Sequence, residues 1–310
     1  MDGALLVNKH AGVSSFGVIE LLKKATVRHG LKMGHGGTLD PFATGLLVVC
    51  IGRGVKLSRY FLGSIKSYEG TLVFGKTTVP GDPTEEISER SDRLPQSLEQ
   101  LRAMAERFAA QPYLQTPPMH SAKKRDGKPL YELARQGIEV EREARLCRLL
   151  RFDFSDYSNP EARFSVTCSP GTYIRTLAQD FARLMGSVGM LRELHRTSSG
   201  SFSVKQAMTV DQITEALRAG TRWEDLPCHV RFDELLGGYP SAEATPDEAL
   251  SLARGQQGAL FSILQRVSNP GRPDRYLETE NTVAIYSLGR LAAVARNENG
   301  VWGLERVFTG

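Results

Sequence analysis

The sequence predicts an α/β (α+β) fold that ends in a small C-terminal β module, and three observations carry that reading. Through residue 236, short extended apolar runs alternate with stretches in which apolar residues recur at helical spacing. Beyond it, short strand-like runs separated by Gly and Asn take over. With 310 residues, 41% of them hydrophobic, the chain has enough apolar surface for about two domains without disulfide or metal staples. The expected boundaries are 1–236 and 237–310.

Ala4 to Val7 reads as a strand, and Gly12-Val-Ser-Ser15 turns the chain into a helix with Val18, Ile19, Leu22 and Ala25 on one side. Ser14 or Ser15 opens that helix. Lys66 to Phe74 reads as a strand, and Pro80-Gly-Asp-Pro83 begins a polar, acidic loop reaching Pro95. Ser97-Leu-Glu-Gln100 is a capping box before a helical face of Leu98, Leu101, Met104, Ala105 and Phe108. Pro112 to Pro129 holds four prolines and the basic run Lys123-Lys-Arg125. Leu146 to Phe154 and Phe164 to Cys168 read as neighbouring strands, and Ile174, Leu177, Phe181 and Leu184 as a helix ended by Gly186. Thr209 to Gly220 is a further helix, and Gly237-Gly-Tyr-Pro240 opens an acidic connector. Ala259–Leu264, Thr282–Tyr286, Leu291–Ala295 and Val301–Phe308 are the strand-like runs of the C-terminal module.

The longest apolar run, Gly45 to Ile51, is far shorter than the roughly 20 residues of a membrane span. Met1-Asp-Gly-Ala4 has no basic lead into a secretory core. A soluble, cytoplasmic protein is the expectation. Cys50, Cys147, Cys168 and Cys228 stand singly, with no zinc spacing, so no metal is expected. The net charge is only +4, but it is unevenly placed. Residues 1–60 hold 8 basic and 3 acidic side chains, residues 101–150 hold 10 and 6, and residues 211–250 hold 3 and 9. A basic body of this kind suits a polyanion, although solvated surface charge has the same signature.

Gly34-His-Gly-Gly-Thr-Leu-Asp-Pro-Phe-Ala-Thr-Gly45 packs four glycines, one histidine and one carboxylate into twelve residues. Pro41 fixes the chain just after Asp40. A phosphate cradle and an ordinary Gly-rich turn capped by Asp40 both remain open on these residues, though no Gly-Lys-[Ser/Thr] follows.

Gly36-Gly-Thr-Leu-Asp-Pro41 resembles the catalytic-aspartate motif of the TruB family of pseudouridine synthases. Four more segments resemble that family in the same order: Asn8-Lys-His-Ala-Gly-Val-Ser-Ser15, Lys66-Ser-Tyr68, Cys168-Ser-Pro-Gly-Thr-Tyr-Ile-Arg-Thr-Leu177 and Leu191-Arg-Glu-Leu-His-Arg-Thr-Ser-Ser-Gly200. Met119-His-Ser-Ala-Lys-Lys124 and Gly127-Lys-Pro-Leu-Tyr131 are closer to its stand-alone bacterial branch than to its guide-RNA-dependent branch. His10, Ser14, His195 and Ser198 depart from the family pattern.

The resemblance implies a mixed-sheet catalytic domain with a PUA-like RNA-binding module. It implies conversion of uridine-55 in the T loop of tRNA to pseudouridine, with no cofactor, no obligatory protein partner and a monomeric chain. Such an isomerisation breaks N1–C1′, turns the base and joins C5 to C1′, so a carboxylate is its main requirement. Asp40 matches the catalytic aspartate, either as glycosyl-cation trap or as initiator of proton removal. Tyr68 matches the tyrosine that stacks on the flipped base; without the resemblance it reads as a strand-core residue. Arg175 matches the arginine paired with the carboxylate, Tyr173 and Leu194 the walls of the uridine pocket, and His35 the group that takes the flipped base's place. Lys9 and Lys56 are assigned structural or backbone-contact roles. Two rivals are an RNA-binding or RNA-folding protein without catalysis, which has no need of Asp40, Tyr68 and Arg175 together, and a guide-dependent synthase subunit.

Overall fold

The computed structural model describes residues 2–26, 30–119, 124–125, 128–129, 138, 140–268 and 281–308. Its first elements are strand β1 (Gly3–Lys9), helix α1 (Ser15–Ala25), and strands β2 (Met33–His35), β3 (Thr44–Ile51) and β4 (Lys66–Phe74). Helix α2 (Leu98–Ala109), strands β5 (Leu149–Ser158) and β6 (Glu161–Cys168), helix α3 (Ile174–Leu184), strand β7 (Gly189–Ser199) and helix α4 (Val210–Arg218) follow.

Ser14 caps α1 by accepting from the Gly17 amide at 2.9 Å, which decides between the two candidate serines. Ser97 caps α2 from Gln100, whose own side chain reaches past the cap to the Gln96 amide at 2.7 Å.

The main sheet runs β5-β6-β4-β7-β3-β1, continued by Met208–Thr209, and has ten strands with three short additions. It is mixed: β7 pairs with β3 in parallel, whereas β4 pairs with β6 and β7 antiparallel. Every residue of β3 after Thr44 is buried, as its uninterrupted apolar run requires of a central strand. Gly45 makes the β3–β7 join possible: at φ +99° its absent Cβ would lie 2.4 Å from the Arg196 carbonyl oxygen. On one face Phe181 of α3 stacks on Phe154 of β5, with 5.2 Å between centroids, and meets Phe108 of α2.

Three sequence expectations need correction here. Arg145–Cys147 is a separate strand that pairs with Tyr113–Gln115 before β5 begins. Ala259–Leu264 lies in a helix: Leu260 and Ile263, three apart, are buried, while Phe261 between them is 74% exposed. A short apolar run gives too few turns for its period to be read. The expected acidic connector likewise holds strand β8 (Ser241–Glu243) and helix α5 (Pro246–Ala253), the latter preceding the corrected helix, α6 (Gly258–Leu264).

Strands β9 (Thr282–Ser287), β10 (Arg290–Glu298) and β11 (Val301–Val307) complete a four-stranded sheet in the order β8-β9-β10-β11. Its two faces serve different cores. Ala284, Leu291 and Val294 join the core of the main sheet, whereas Val283, Ile285, Ala293 and Ala295 pack with Leu252, Leu260 and Ile263 of α5 and α6. Among the described residues no helix is long and apolar enough to cross a membrane.

Candidate active site

The loop between β2 and β3 carries Asp40 and is held by side chains from three elements. Ser15, at the start of α1, donates to the Leu39 carbonyl at 3.1 Å and accepts from the Leu39 amide at 2.8 Å. Lys9, at the end of β1, donates to the carbonyls of His10 (3.0 Å), Val13 (2.9 Å) and Pro41 (3.2 Å). Burial pushes its ammonium down to about 8 against the opposing pull of the Asp40 charge, while the three carbonyls accept its N–H groups. Arg196 of β7, only 2% exposed, donates to Leu46 O (2.7 Å), Gly37 O (3.1 Å) and Thr38 O (3.3 Å). These contacts spend buried cations on backbone carbonyls, so they fix geometry.

The carboxylate itself meets Arg175, in the first turn of α3. Nε donates to Oδ2 at 2.8 Å and Nη2 to Oδ1 at 3.0 Å, a bidentate pair that sets the plane of the carboxylate. The Asp40 side chain is 33% exposed and that of Arg175 only 4%, so the acid faces the cavity and the base backs it. Arg175 is braced from behind, where Nη1 donates to Pro80 O at 2.9 Å and lies 3.6 Å from Asp82 Oδ2. Asp82 is buried within the expected polar loop and is anchored by the Thr84 amide at 3.0 Å and the Thr84 hydroxyl. Tyr173, the residue before α3, lacks a side-chain cap; the Gln115 amide group accepts from its N–H at 2.7 Å and donates to its C=O at 3.0 Å.

A cavity of about 690 Å³ opens over this pair. Asp40, Tyr68, Tyr173, Arg175 and Leu194 all line it, so five of the six expected site residues converge. Tyr68 sits on β4 opposite Val166 of β6 and Arg196 of β7. Burial pushes its phenol up, which keeps the hydroxyl neutral and able to donate or accept. Cys168 also lines the cavity, with its thiol pushed up to about 12 by burial and therefore unreactive.

His35 stands apart from that lining, half-buried on β2 opposite Val49. Among the described residues its buried Nδ1 has no hydrogen-bond partner, and burial, aided by the Arg196 charge, holds its pKa below the ordinary value. Lys56 is exposed. Lys123 and the side chains of Lys124 and Arg125 lie outside the described residues.

Four residues that build the site were not singled out from the sequence. Asp82 had a local signal, an acid pinned between Gly81 and Pro83. Arg196 and Ser15 lay within quoted motifs, but their burial is decided by partners far along the chain. Gln115 gave no signal, because its partner is 58 residues away.

Residues 23–174 match the TruB family pseudouridylate synthase N-terminal domain, and residues 175–235 the tRNA pseudouridylate synthase B C-terminal domain. A tRNA pseudouridine synthase B from Bordetella avium is 45% identical over 215 residues, covering 69% of this chain and 87% of the relative. One from Burkholderia lata is 37% identical over 309 residues, covering 99% of this chain and 90% of the relative. A chain of the crystal structure of a Cbf5-Nop10-Gar1 complex superposes with a TM-score of 0.71 at 19% identity, over 99% of this chain and 85% of that one, which shows a shared fold. With both domains matched in order and a relative similar along nearly its whole length, the chain belongs to the TruB family of pseudouridylate synthases.

Proposed function

We propose that the chain converts uridine-55 in the T loop of tRNA to pseudouridine, acting alone and without a cofactor. The observation that carries the reading is the Arg175–Asp40 bidentate pair on the wall of a cavity shared with Tyr68. The target nucleoside leaves its stack and enters the cavity, where the Tyr68 ring stacks on the base and Tyr173 and Leu194 bound it. Asp40, oriented by the two-pronged contact with Arg175, either traps the glycosyl cation or begins proton removal from the ribose. N1–C1′ breaks, the base turns, C5 bonds to C1′, and the C5 proton leaves while N1 gains one, so the product is an isomer. The neutral Tyr68 hydroxyl is placed for that last proton step. His35, outside the cavity lining, suits the space the base vacates. In this reading residues 1–236 do the chemistry and residues 237–310 add an RNA-binding module.

The test is to incubate the purified chain alone with an unmodified tRNA transcript and map pseudouridine. Conversion at position 55 alone is expected. Conversion only in the presence of a guide RNA and further proteins overturns the stand-alone reading, and binding without conversion favours an RNA-folding role.

A further inference from the structure

Three arginines from separate parts of the chain reach the cavity that holds Asp40: Arg59 from the helical turn Ser58–Leu62, Arg145 from the strand Arg145–Cys147, and Arg296 from β10. They differ from Arg175 and Arg196, which are buried and spent on Asp40 and on backbone carbonyls. The side chains of Arg59 and Arg296 are 46% and 36% exposed, and Arg145 is exposed as well. The cavity is therefore graded, with enclosed cations at its base and open ones at its rim.

Glu305 of β11 organises two of the three. Its side chain, 12% exposed, pairs with Arg59 Nη1, lies 3.5 Å from Arg296 Nη1, and accepts from the Tyr60 hydroxyl at 2.6 Å. One carboxylate thus fixes two guanidinium groups that come from opposite ends of the sequence. Each guanidinium has five N–H donors in a rigid fork, so pairing with Glu305 leaves donors for an anion in the cavity mouth. Glu298 Oε1 also lies 3.7 Å from Arg296 Nε, and three cations against these two carboxylates leave the rim net positive.

We infer that Arg59, Arg145 and Arg296 form a phosphate-binding rim for the sugar–phosphate backbone flanking the nucleotide in the cavity, with Glu305 as its positioning residue. The inference rests on the proposed RNA substrate. It makes the C-terminal sheet a wall of the substrate site, since Asn281, Thr282 and Arg296 line the same cavity as Asp40.

The experiment measures affinity for an unmodified tRNA transcript against salt concentration, in the full-length chain, for wild type and for Arg59→Gln, Arg145→Gln and Arg296→Gln. Each rim variant is expected to lower the slope of log affinity against log salt by about 0.7–0.9, the loss of one phosphate contact. Arg254→Gln, at the exposed end of α5 and outside the cavity lining, keeps the wild-type slope. Arg296→Lys, which retains the charge, restores most of it. Equal slopes in wild type and all three glutamine variants overturn the rim. Glu305→Gln separates positioning from simple charge: it removes a negative charge near the RNA, yet it is expected to weaken binding and to raise KM more than it lowers kcat. Tighter binding by Glu305→Gln overturns the positioning role. Pseudouridine formation by the wild type is scored in parallel: an active enzyme with unchanged slopes loses the rim alone, whereas a wild type that neither binds nor converts the transcript loses the substrate assignment and the rim with it.

Discussion

Gln115 holds both backbone polar groups of Tyr173 at once, taking the N–H at 2.7 Å on Oε1 and giving Nε2–H to the C=O at 3.0 Å. A side-chain amide here does what a neighbouring strand does elsewhere. Because Tyr173 precedes α3 by one residue, the clamp sets where that helix begins and therefore where Arg175 meets Asp40. Gln115→Leu leaves the Tyr173 N–H without its partner and its C=O with only the Leu177 amide at 2.9 Å, and a loss of about 1–3 kcal/mol in stability is expected by denaturant unfolding. Single-turnover conversion should fall at least about tenfold, as one misplaced catalytic contact costs. Wild-type turnover in a folded Gln115→Leu protein would show that α3 finds its place without the clamp.

Asp40→Asn keeps the shape of the side chain and removes its charge. Conversion should drop by at least about a thousandfold, the upper range for removing one preorganised polar group, while affinity for tRNA stays close to wild type. Recovery of a few per cent of the wild-type single-turnover rate, with deamidation excluded, would sink the role given to Asp40. Arg175→Lys retains a cation but loses the two-pronged grip, and an intermediate rate is expected.

Tyr68→Phe keeps the ring and loses the hydroxyl. Base entry and glycosidic cleavage should survive, with the final proton transfer slowed. Tyr68→Ala should also lose about 1–3 kcal/mol of binding, the worth of one stacked base. Phenylalanine and alanine variants that both turn over at the wild-type rate would leave Tyr68 as a core residue of β4.

His35 supplies a pH test. Its ordinary pKa of 6.5 applies to the unfolded chain, and burial with the Arg196 charge lowers it in the fold. As pH falls from about 7.5 to about 5, the unfolded chain takes up a proton that the folded ring refuses, so stability falls. His35→Asn removes this contribution, and its unfolding midpoint should decline less over that range. His229, lowered in the same direction by burial, is present in both proteins and cancels from the comparison. Parallel declines would mean that His35 titrates alike in both states.

Local patterns carried far in this chain where one face of an element is wet. The spacing of Leu177 and Phe181 placed α3, and Ser97 with Gln100 placed α2, because amphipathic periodicity is a property of a single segment. The motifs placed Asp40, Tyr68, Tyr173, Arg175 and Leu194 on one cavity. What escaped depended on distant partners. Arg145–Cys147 splits from β5 because Tyr113–Gln115 is there to pair with it, and Asp82 is buried because Arg175 comes to meet it. Leu260 and Ile263 are packed by β-sheet residues that alternate toward them, which no pattern inside Ala259–Leu264 records.

The division of the C-terminal sheet between two cores means that a boundary drawn at residue 236 does not coincide with a seam in the packing. Ala284, Leu291, Val294 and Phe308 lie in the same apolar cluster as Phe232 and Leu236, and Phe308 meets the Phe232 ring edge-on at 5.1 Å. A chain ended at residue 236 would present that apolar surface to water, and an isolated C-terminal piece would present the complementary one. The sheet's unfolding is therefore tied to that of residues 1–236, and a truncation that removes the C-terminal sheet would also withdraw support from the fold around the cavity.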